Sequence, residues 1–231
     1  MKALLALLFA GKLGKILFSG GSMLVSIAVY AHIFGWKYAA GFVLLLLCHE
    51  MGHYIAAKQR GLDVGLPTFI PFVGAWINLK NQGLSAETTA FVGLAGPLLG
   101  TTSAFLVYLL ALHYETHWLL AIAYAGFVLN LFNLIPVVPL DGSHIVAVIS
   151  PKLWVVGLPL LIALYLWRPN PLLIIVAILA VPKVWAAIRG TVPAHAEPQL
   201  ASNVLKVRFA AEYLGLVCFL ALMAFEVHSV L

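Results

Sequence analysis

His49, Glu50 and His53 form the pattern His-Glu-x-x-His inside an apolar run of the chain, residues 41–53. On a helix, side chains four positions apart lie on one face, so both imidazoles can bind the same zinc ion. A glutamate between two such histidines usually acts as the general base toward a zinc-bound water. The motif therefore predicts a hydrolytic site with one zinc ion per chain, with His49 and His53 as metal ligands and Glu50 as the catalytic residue.

A third protein ligand is expected, because zinc in hydrolases commonly takes three and leaves a fourth position for water. The candidate acids are Glu87, Glu115, Asp141, Glu212 and Glu226. Asp141 is favoured because Pro136 and Pro139 break the helix before it, and Gly142 adds no bulk beside it. Two alternatives stay open. Asp141 could instead cap the following helix, and His144 could be a ligand rather than a residue that lies beside the ligands.

The segment that contains these residues is apolar enough to cross a membrane. A charged side chain near the centre of a membrane helix costs about 2.5–3.5 kcal/mol on insertion scales, so an ionisable residue there is a functional candidate. In the alternative interpretation, Glu50 pairs with Lys58 and the histidines are packed polar groups.

The composition predicts an all-α polytopic membrane protein in the lipid bilayer, with six or seven transmembrane helices. The 231 residues are 63% hydrophobic and 9% charged, with a mean hydropathy of +1.05. We expect no nucleic-acid partner and no added soluble domain. Residues 153–188 contain several prolines and could form two spans or one broken hairpin. The candidate spans are 18–36, 38–58, 89–112, 117–136, 153–167, 171–188 and 208–231.

The basic residues indicate the orientation of the chain. All but two of the 13 lysines and arginines, Lys37 and Arg168, fall on one side of the predicted spans. Because cytosolic loops carry the excess of basic residues, this distribution predicts a cytosolic N terminus and an odd number of spans. It also places the zinc site toward the cytosolic side, and we expect the membrane to be the cell membrane.

Residues 66–80 do not have the pattern of a transmembrane helix. They are apolar, β-branched and aromatic, and Pro67, Pro71 and Gly74 interrupt them. We predict a β-hairpin that dips into the membrane, where exposed backbone is tolerated only against protein or a wet cavity. Its edge could bind an extended substrate by strand addition. The alternative is a loop packed on the helices. The candidate substrate-binding residues of the hairpin are Phe69, Phe72, Trp76 and Ile77.

Three motifs together resemble those of the site-2 protease family of intramembrane zinc metalloproteases. They are His49-Glu50-Met51-Gly52-His53, Ala95-Gly96-Pro97 and Asn133-Leu-Ile-Pro136-Val-Val-Pro139-Leu-Asp141-Gly142. The resemblance covers about residues 38–145. It implies a three-helix catalytic core made of the HExxH, AGP and LDG helices, with hairpin 66–80 after the first. Residues 1–37 are then an amphipathic segment with the first span, and residues 146–231 are the C-terminal spans. No PDZ or CBS domain is expected.

The resemblance also implies roles for individual residues. His49, His53 and Asp141 would bind zinc, Glu50 would be the base, and the substrate would be a transmembrane protein. Asn133 would hold the substrate backbone or the oxyanion; its alternative is a helix-to-helix hydrogen bond. Two departures stand out: many members carry AGPxxN where this chain has Gly100, and the common LDGG becomes Asp141-Gly142-Ser143-His144.

Two other functions remain open at this stage. The histidines and acids could be the ligands of a membrane metal transporter, although the chain has no second HExxH-like half of the kind that inverted repeats would produce. Alternatively, a catalytically inactive member of the family could serve as a binding scaffold. The oligomeric state is not predicted.

We predict from the charge distribution that loop 190–206 is cytosolic, like the N terminus. The test is to place single cysteines in that loop, in a chain whose Cys48 and Cys218 have been replaced, and to label intact cells with a membrane-impermeant reagent. Labelling is expected only after the cells are permeabilised. Labelling from outside would contradict the seven-span arrangement.

Overall fold

Helices of membrane length dominate the computed structural model, which describes residues 2–72, 74–76, 84–191 and 201–231, with side chains from residue 13 onward. Five are long and apolar enough, by length and composition, to cross a membrane. The elements in chain order are α1 Lys2–Phe34, α2 Trp36–Gln59, β1 Thr68–Ile70, β2 Gly74–Trp76, α3 Ala86–His113, α4 His117–Asn133, α5 Asp141–Ile149, a 3₁₀ turn Pro151–Leu153, α6 Trp154–Trp167, α7 Pro171–Arg189 and α8 Asn203–Val230.

The prediction of an all-helical, multi-pass membrane protein with a small hairpin is confirmed. The five long apolar helices are α1, α2, α3, α7 and α8, and α4 and the segment Pro151–Trp167 are shorter apolar helices. Residues 153–188 form two separate helices, α6 and α7. With 14 residues, α6 is about 21 Å long, shorter than the ~30 Å hydrocarbon core.

Local sequence signals set most of the helix boundaries. Gly35, with φ of 85°, separates α1 from α2 in a conformation that few other residues adopt. The side chains of Ser85, Asn170 and Ser202 accept hydrogen bonds from backbone N–H groups in the first turns of α3, α7 and α8. Toward the N terminus, α1 is one continuous helix from Lys2, so the predicted amphipathic segment and the first span share it.

The predicted hairpin is present and lies against α1. β1 and β2 pair antiparallel, with Phe69 opposite Ala75. Ser22 Oγ accepts a hydrogen bond from the Phe69 N–H at 3.1 Å, and Tyr30 Oη accepts one from the Phe72 N–H at 2.9 Å. The first helix therefore holds β1 and the turn in place. Val73 and residues 77–83, including Ile77, lie outside the described residues.

Small residues bring α2, α3 and α4 close together. A Cβ atom on Gly52 would overlap the backbone of Ala95 and Gly96 in α3, and one on Gly126 would lie 2.8 Å from Ala104 Cβ. Without a hydrophobic force between helices in lipid, such close approach lets van der Waals contacts hold them together. Helix α3 thus packs closely against both the HExxH helix α2 and α4.

The segment between α4 and α5 makes the corner that the prolines predict. Tyr213 Oη in α8 donates to the Leu134 carbonyl at 2.7 Å, and Trp154 Nε1 donates to the Ser143 carbonyl at 2.9 Å. A Cβ on Gly142 would collide with the carbonyls of Leu134 and Ile135. These contacts fix the start of α5, whose first residue is Asp141.

Candidate metal centre

Helix α2 presents His49 and His53 on one face, as the four-residue spacing predicts. Their Nε2 atoms lie 3.2 Å apart and the ring planes are nearly perpendicular, at 80°. Room for His53 comes from α3, because a Cβ on Gly96 would overlap its imidazole ring. Position 96 in the Ala95-Gly96-Pro97 motif therefore has to be glycine, because any side chain there would occupy the space of the His53 ring.

Asp141 reaches the same point from α5. Its Oδ2 atom lies 3.1 Å from His49 Nε2 and 3.3 Å from His53 Nε2. The N-cap position of α5 is occupied by Leu140, and the Asp141 side chain points to the histidines instead of capping the helix. Within the described ranges, these three residues are the group of histidine, cysteine and acidic side chains whose geometry could hold a metal ion.

The other ring nitrogens identify the tautomers. His49 Nδ1 lies 2.8 Å from Asn130 Oδ1, and His53 Nδ1 lies 2.7 Å from the Val92 carbonyl. Both partners are oxygens that only accept, so each Nδ1 carries the proton and donates. Each Nε2 of the neutral rings then directs a lone pair toward Asp141, as metal-binding histidines do.

This donor set fits a zinc ion. Asp141 Oδ2 and the two Nε2 atoms meet at 3.1–3.3 Å. When both rings are neutral with the proton on Nδ1, all three atoms direct lone pairs at one another, and a metal cation between them removes the repulsion as a proton on Nε2 would. Tetrahedral zinc with ligands at about 2.0–2.2 Å sets them about 3.3–3.6 Å apart, close to the spacing observed.

Glu50 lies in the same cavity as the three donors. The cavity has a volume of about 490 Å³, and Glu50 is only 6% exposed. The described part of the chain contains no ion pair between Glu50 and Lys58; the Lys58 ammonium lies over the Tyr54 ring instead. Glu50 therefore has the position of a base that serves the cavity.

The walls of the cavity come from four further elements. Helix α7 lines it with the apolar residues Leu172, Ile175, Val176 and Leu179, and β2 lines it with Gly74 and Ala75. Asn133 and His144 also line it. Asn133 Nδ2 donates to the Leu129 carbonyl of its own helix at 3.2 Å, and His144 stays outside the metal-binding group.

Phe69 and Phe72 of the hairpin do not line the cavity. Phe69 is buried in a cluster with α1 and α2 residues, and Phe72 is exposed, with its ring 5.3 Å from that of Tyr30. The Trp76 side chain and all of Ile77 are outside the described residues. Contact of these four with substrate stays a prediction, and the hairpin residues that line the cavity are Gly74 and Ala75.

One residue of the site is missing from the sequence-based prediction. Asn130 is fully buried, and its amide accepts from His49 and donates to the Gly126 carbonyl at 2.7 Å. The available signal was an amide side chain inside the apolar helix α4, three residues before Asn133. Asn130 also occupies the space beside Gly100, so α4 supplies an amide where the AGPxxN pattern would have placed one on α3.

Comparison with known proteins agrees with this architecture. Residues 37–116 match Peptidase family M50. The chain is 37% identical to the Putative zinc metalloprotease MJ0611 of Methanocaldococcus jannaschii over 135 residues, 49% of this chain and 70% of that protein. It is 27% identical to Zinc metalloprotease MJ0392 of the same organism over 123 residues, 50% of this chain and 35% of that protein.

A plant protein and one solved structure are also similar. The Probable zinc metalloprotease EGY2, chloroplastic, of Arabidopsis thaliana is 34% identical over 74 residues, 30% of this chain and 13% of that protein. The chain thus spans well under two thirds of EGY2 and MJ0392. The Site-2 Protease from Methanocaldococcus jannaschii aligns with a TM-score of 0.47 and 20% identity, covering 74% of this chain and 87% of that one.

A group that could hold a metal ion, built on an HExxH helix among helices long and apolar enough to cross a membrane, is typical of the membrane zinc metalloproteases. Within this class, the chain belongs to Peptidase family M50, the site-2 protease family. The resemblance stated from the motifs is confirmed.

We predict that replacing Asp141 by alanine lowers zinc occupancy from one ion per chain, because an oxygen ligand is lost. The measurement is metal analysis of the purified, folded chain. Glu212→Ala is the matched control, since that carboxylate pairs with Arg208 on an exposed surface, 2.8 Å away. Full zinc retention by Asp141→Ala, with loss in His144→Ala, would transfer the third-ligand role to His144.

Proposed function

We propose that the protein is an intramembrane zinc metalloprotease that hydrolyses a peptide bond of a membrane-spanning protein within or near the bilayer. The observation that carries this proposal is the convergence of His49, His53, Asp141 and Glu50 on one cavity, between helices long and apolar enough to cross a membrane. Family membership supports the zinc-dependent peptidase chemistry.

His49, His53 and Asp141 would hold the metal, and Glu50 would move the protons. A zinc ion in this position would supply a Lewis acid that makes water more acidic and polarises the scissile carbonyl. Glu50 accepts the proton of the attacking water and returns it to the nitrogen of the leaving peptide. Glu50 is buried on the same helix as two of the proposed ligands and lines the same cavity, which supports this role.

Asn133 is the polar side chain best placed to bind the substrate backbone. It lines the cavity, and its one hydrogen bond within the described residues uses only Nδ2. Its Oδ1 can therefore accept from a substrate N–H once the substrate has unwound. Exposed peptide groups need such partners inside a membrane.

Among the described residues β2 pairs only with β1, and its other edge offers a second partner for the substrate backbone. The Phe69 N–H donates to Ser22 of α1, so it points away from β2. Residues opposite each other in an antiparallel pair direct their backbone groups either toward each other or both outward. The N–H and C=O of Ala75, opposite Phe69, therefore point outward on the β2 side, and Ala75 lines the cavity. An extended substrate could pair there.

We also propose that the N terminus is cytosolic, that the site lies toward the cytosolic side and that the protein resides in the cell membrane. The distribution of lysine and arginine supports this orientation. The cysteine-labelling experiment described for loop 190–206 tests it.

We predict that Glu50→Gln abolishes most cleavage while zinc stays bound, since the amide cannot accept the proton; general bases contribute about 10²–10⁴-fold. The measurement is mass spectrometry of new protein N termini in membranes of cells that express the wild-type chain or the variant. New termini inside transmembrane segments are expected only with the wild type, and Glu212→Gln is the matched control. If the zinc-loaded wild-type chain produces no new N termini, the result would favour the binding scaffold. Zinc transport across proteoliposome membranes that contain the protein would instead favour the metal transporter.

We predict that Ala75→Pro impairs cleavage about 2- to 10-fold in kcat/KM, because it removes one outward N–H worth about 0.5–1.5 kcal/mol. The hairpin should persist, since this N–H does not face β1 and proline is tolerated on edge strands. Ala75→Val, which keeps the N–H, is the matched control.

The assay uses a single-span substrate identified by the N-terminal mapping, with zinc content and thermal stability measured in parallel. Unchanged kcat/KM in a stable, zinc-loaded Ala75→Pro chain would exclude strand addition at Ala75 and leave the packed-loop alternative for the hairpin.

A further inference from the structure

Asn130 is the side chain on which the orientation of His49 depends. Its carboxamide is fully buried and both of its ends are engaged: Oδ1 lies 2.8 Å from His49 Nδ1, and Nδ2 donates to the Gly126 carbonyl at 2.7 Å. A flipped amide would turn its NH₂ group toward the N–H of the imidazole and its oxygen toward the Gly126 carbonyl, so both contacts would become repulsive.

We propose that Asn130 is a positioning residue for the metal centre. It holds the His49 ring in the tautomer and the rotation that aim Nε2 at the point shared with His53 and Asp141. This inference rests on the proposed zinc site. A group that accepts a hydrogen bond from the ring nitrogen that does not bind the metal fixes the orientation of the histidine and raises the basicity of its other nitrogen.

The two histidines differ in how they are held. His53 Nδ1 donates to a backbone carbonyl, that of Val92, so no side-chain substitution removes its acceptor. The acceptor of His49 belongs to a side chain 81 residues away in the chain. The orientation of His49 is therefore sensitive to a single substitution in α4, and that of His53 is not.

Gly100 in α3 provides the space that the amide fills. A Cβ built on Gly100 would lie 2.8 Å from Asn130 Nδ2 and 2.9 Å from its Cγ, and closer still to Oδ1. Real Cβ atoms do not approach so closely, so any side chain at position 100 would displace the amide from His49. Positions 100 and 130 are thus coupled: α3 leaves a gap, and α4 fills it with the group that orients the ligand.

Asn133 is a matched control on the same helix. It has the same side chain and the same type of bond to the carbonyl four residues earlier, but none of its hydrogen bonds within the described residues reaches a histidine. Removing each amide in turn separates the loss of an amide from this part of α4 from the loss of the contact with His49.

The experiment measures zinc dissociation constants by chelator competition on the full-length chain in detergent, with no substrate present. Asn130→Leu is expected to weaken zinc binding by about 10–100-fold, the usual effect of removing such a partner. Asn133→Leu should bind zinc like the wild type, and Asn130→Asp, which keeps an oxygen facing Nδ1, should restore most of the affinity. In the cobalt-substituted protein, the visible absorption bands should shift for Asn130→Leu and not for Asn133→Leu.

A double-mutant cycle keeps the test decisive if Asn130→Leu fails to fold. Gly100→Ala should weaken zinc binding in the wild-type background and have little further effect with Asn130→Ala, because the amide it would displace is already absent. Additive effects, or wild-type affinity and cobalt spectrum in a folded Asn130→Leu or Asn130→Ala chain, would overturn the proposal. If the wild-type chain itself binds no zinc, the proposed function fails instead.

Discussion

Three electron-pair donors held within 3.3 Å of one another, inside a bundle of apolar helices, are the constraint on which the rest of this structure depends. With neutral imidazoles, His49, His53 and Asp141 direct lone pairs at one another and repel unless a cation lies between them. Each of the three side chains is therefore held in its orientation by a neighbouring element. α4 supplies an amide, α3 supplies a carbonyl, and the α4–α5 corner supplies the direction of the carboxylate.

Glycine on α3 is what allows this convergence. Gly93, Gly96 and Gly100 follow one face of the helix, and a Cβ at each would meet α5, the His53 ring and the Asn130 amide respectively. The same residues that let membrane helices pack closely thus also make room for polar side chains. The same face of α3 contributes to helix packing and to the metal-binding group, so a larger residue on this face would disturb both.

The hairpin connects this centre with the first helix. Ser22 and Tyr30 take up outward N–H groups of β1 and the turn, which leaves the outward groups of β2 on the side of the cavity. Unpaired backbone is costly in a membrane unless it faces protein or a wet space. The position of β2 beside the cavity therefore supports the proposal that the site receives substrate backbone as well as cleaving it.

The sequence by itself determined the fold class, the HExxH face and the hairpin, because these depend on local periodicity, apolar length and proline placement. Asp141 was favoured by its prolines, yet only the tertiary structure showed that Leu140 takes the N-cap position and that the carboxylate points to the histidines. Asn130 and the outward edge at Ala75 were not predicted. Both depend on contacts between segments far apart in the chain, whose angles and depths no local pattern encodes.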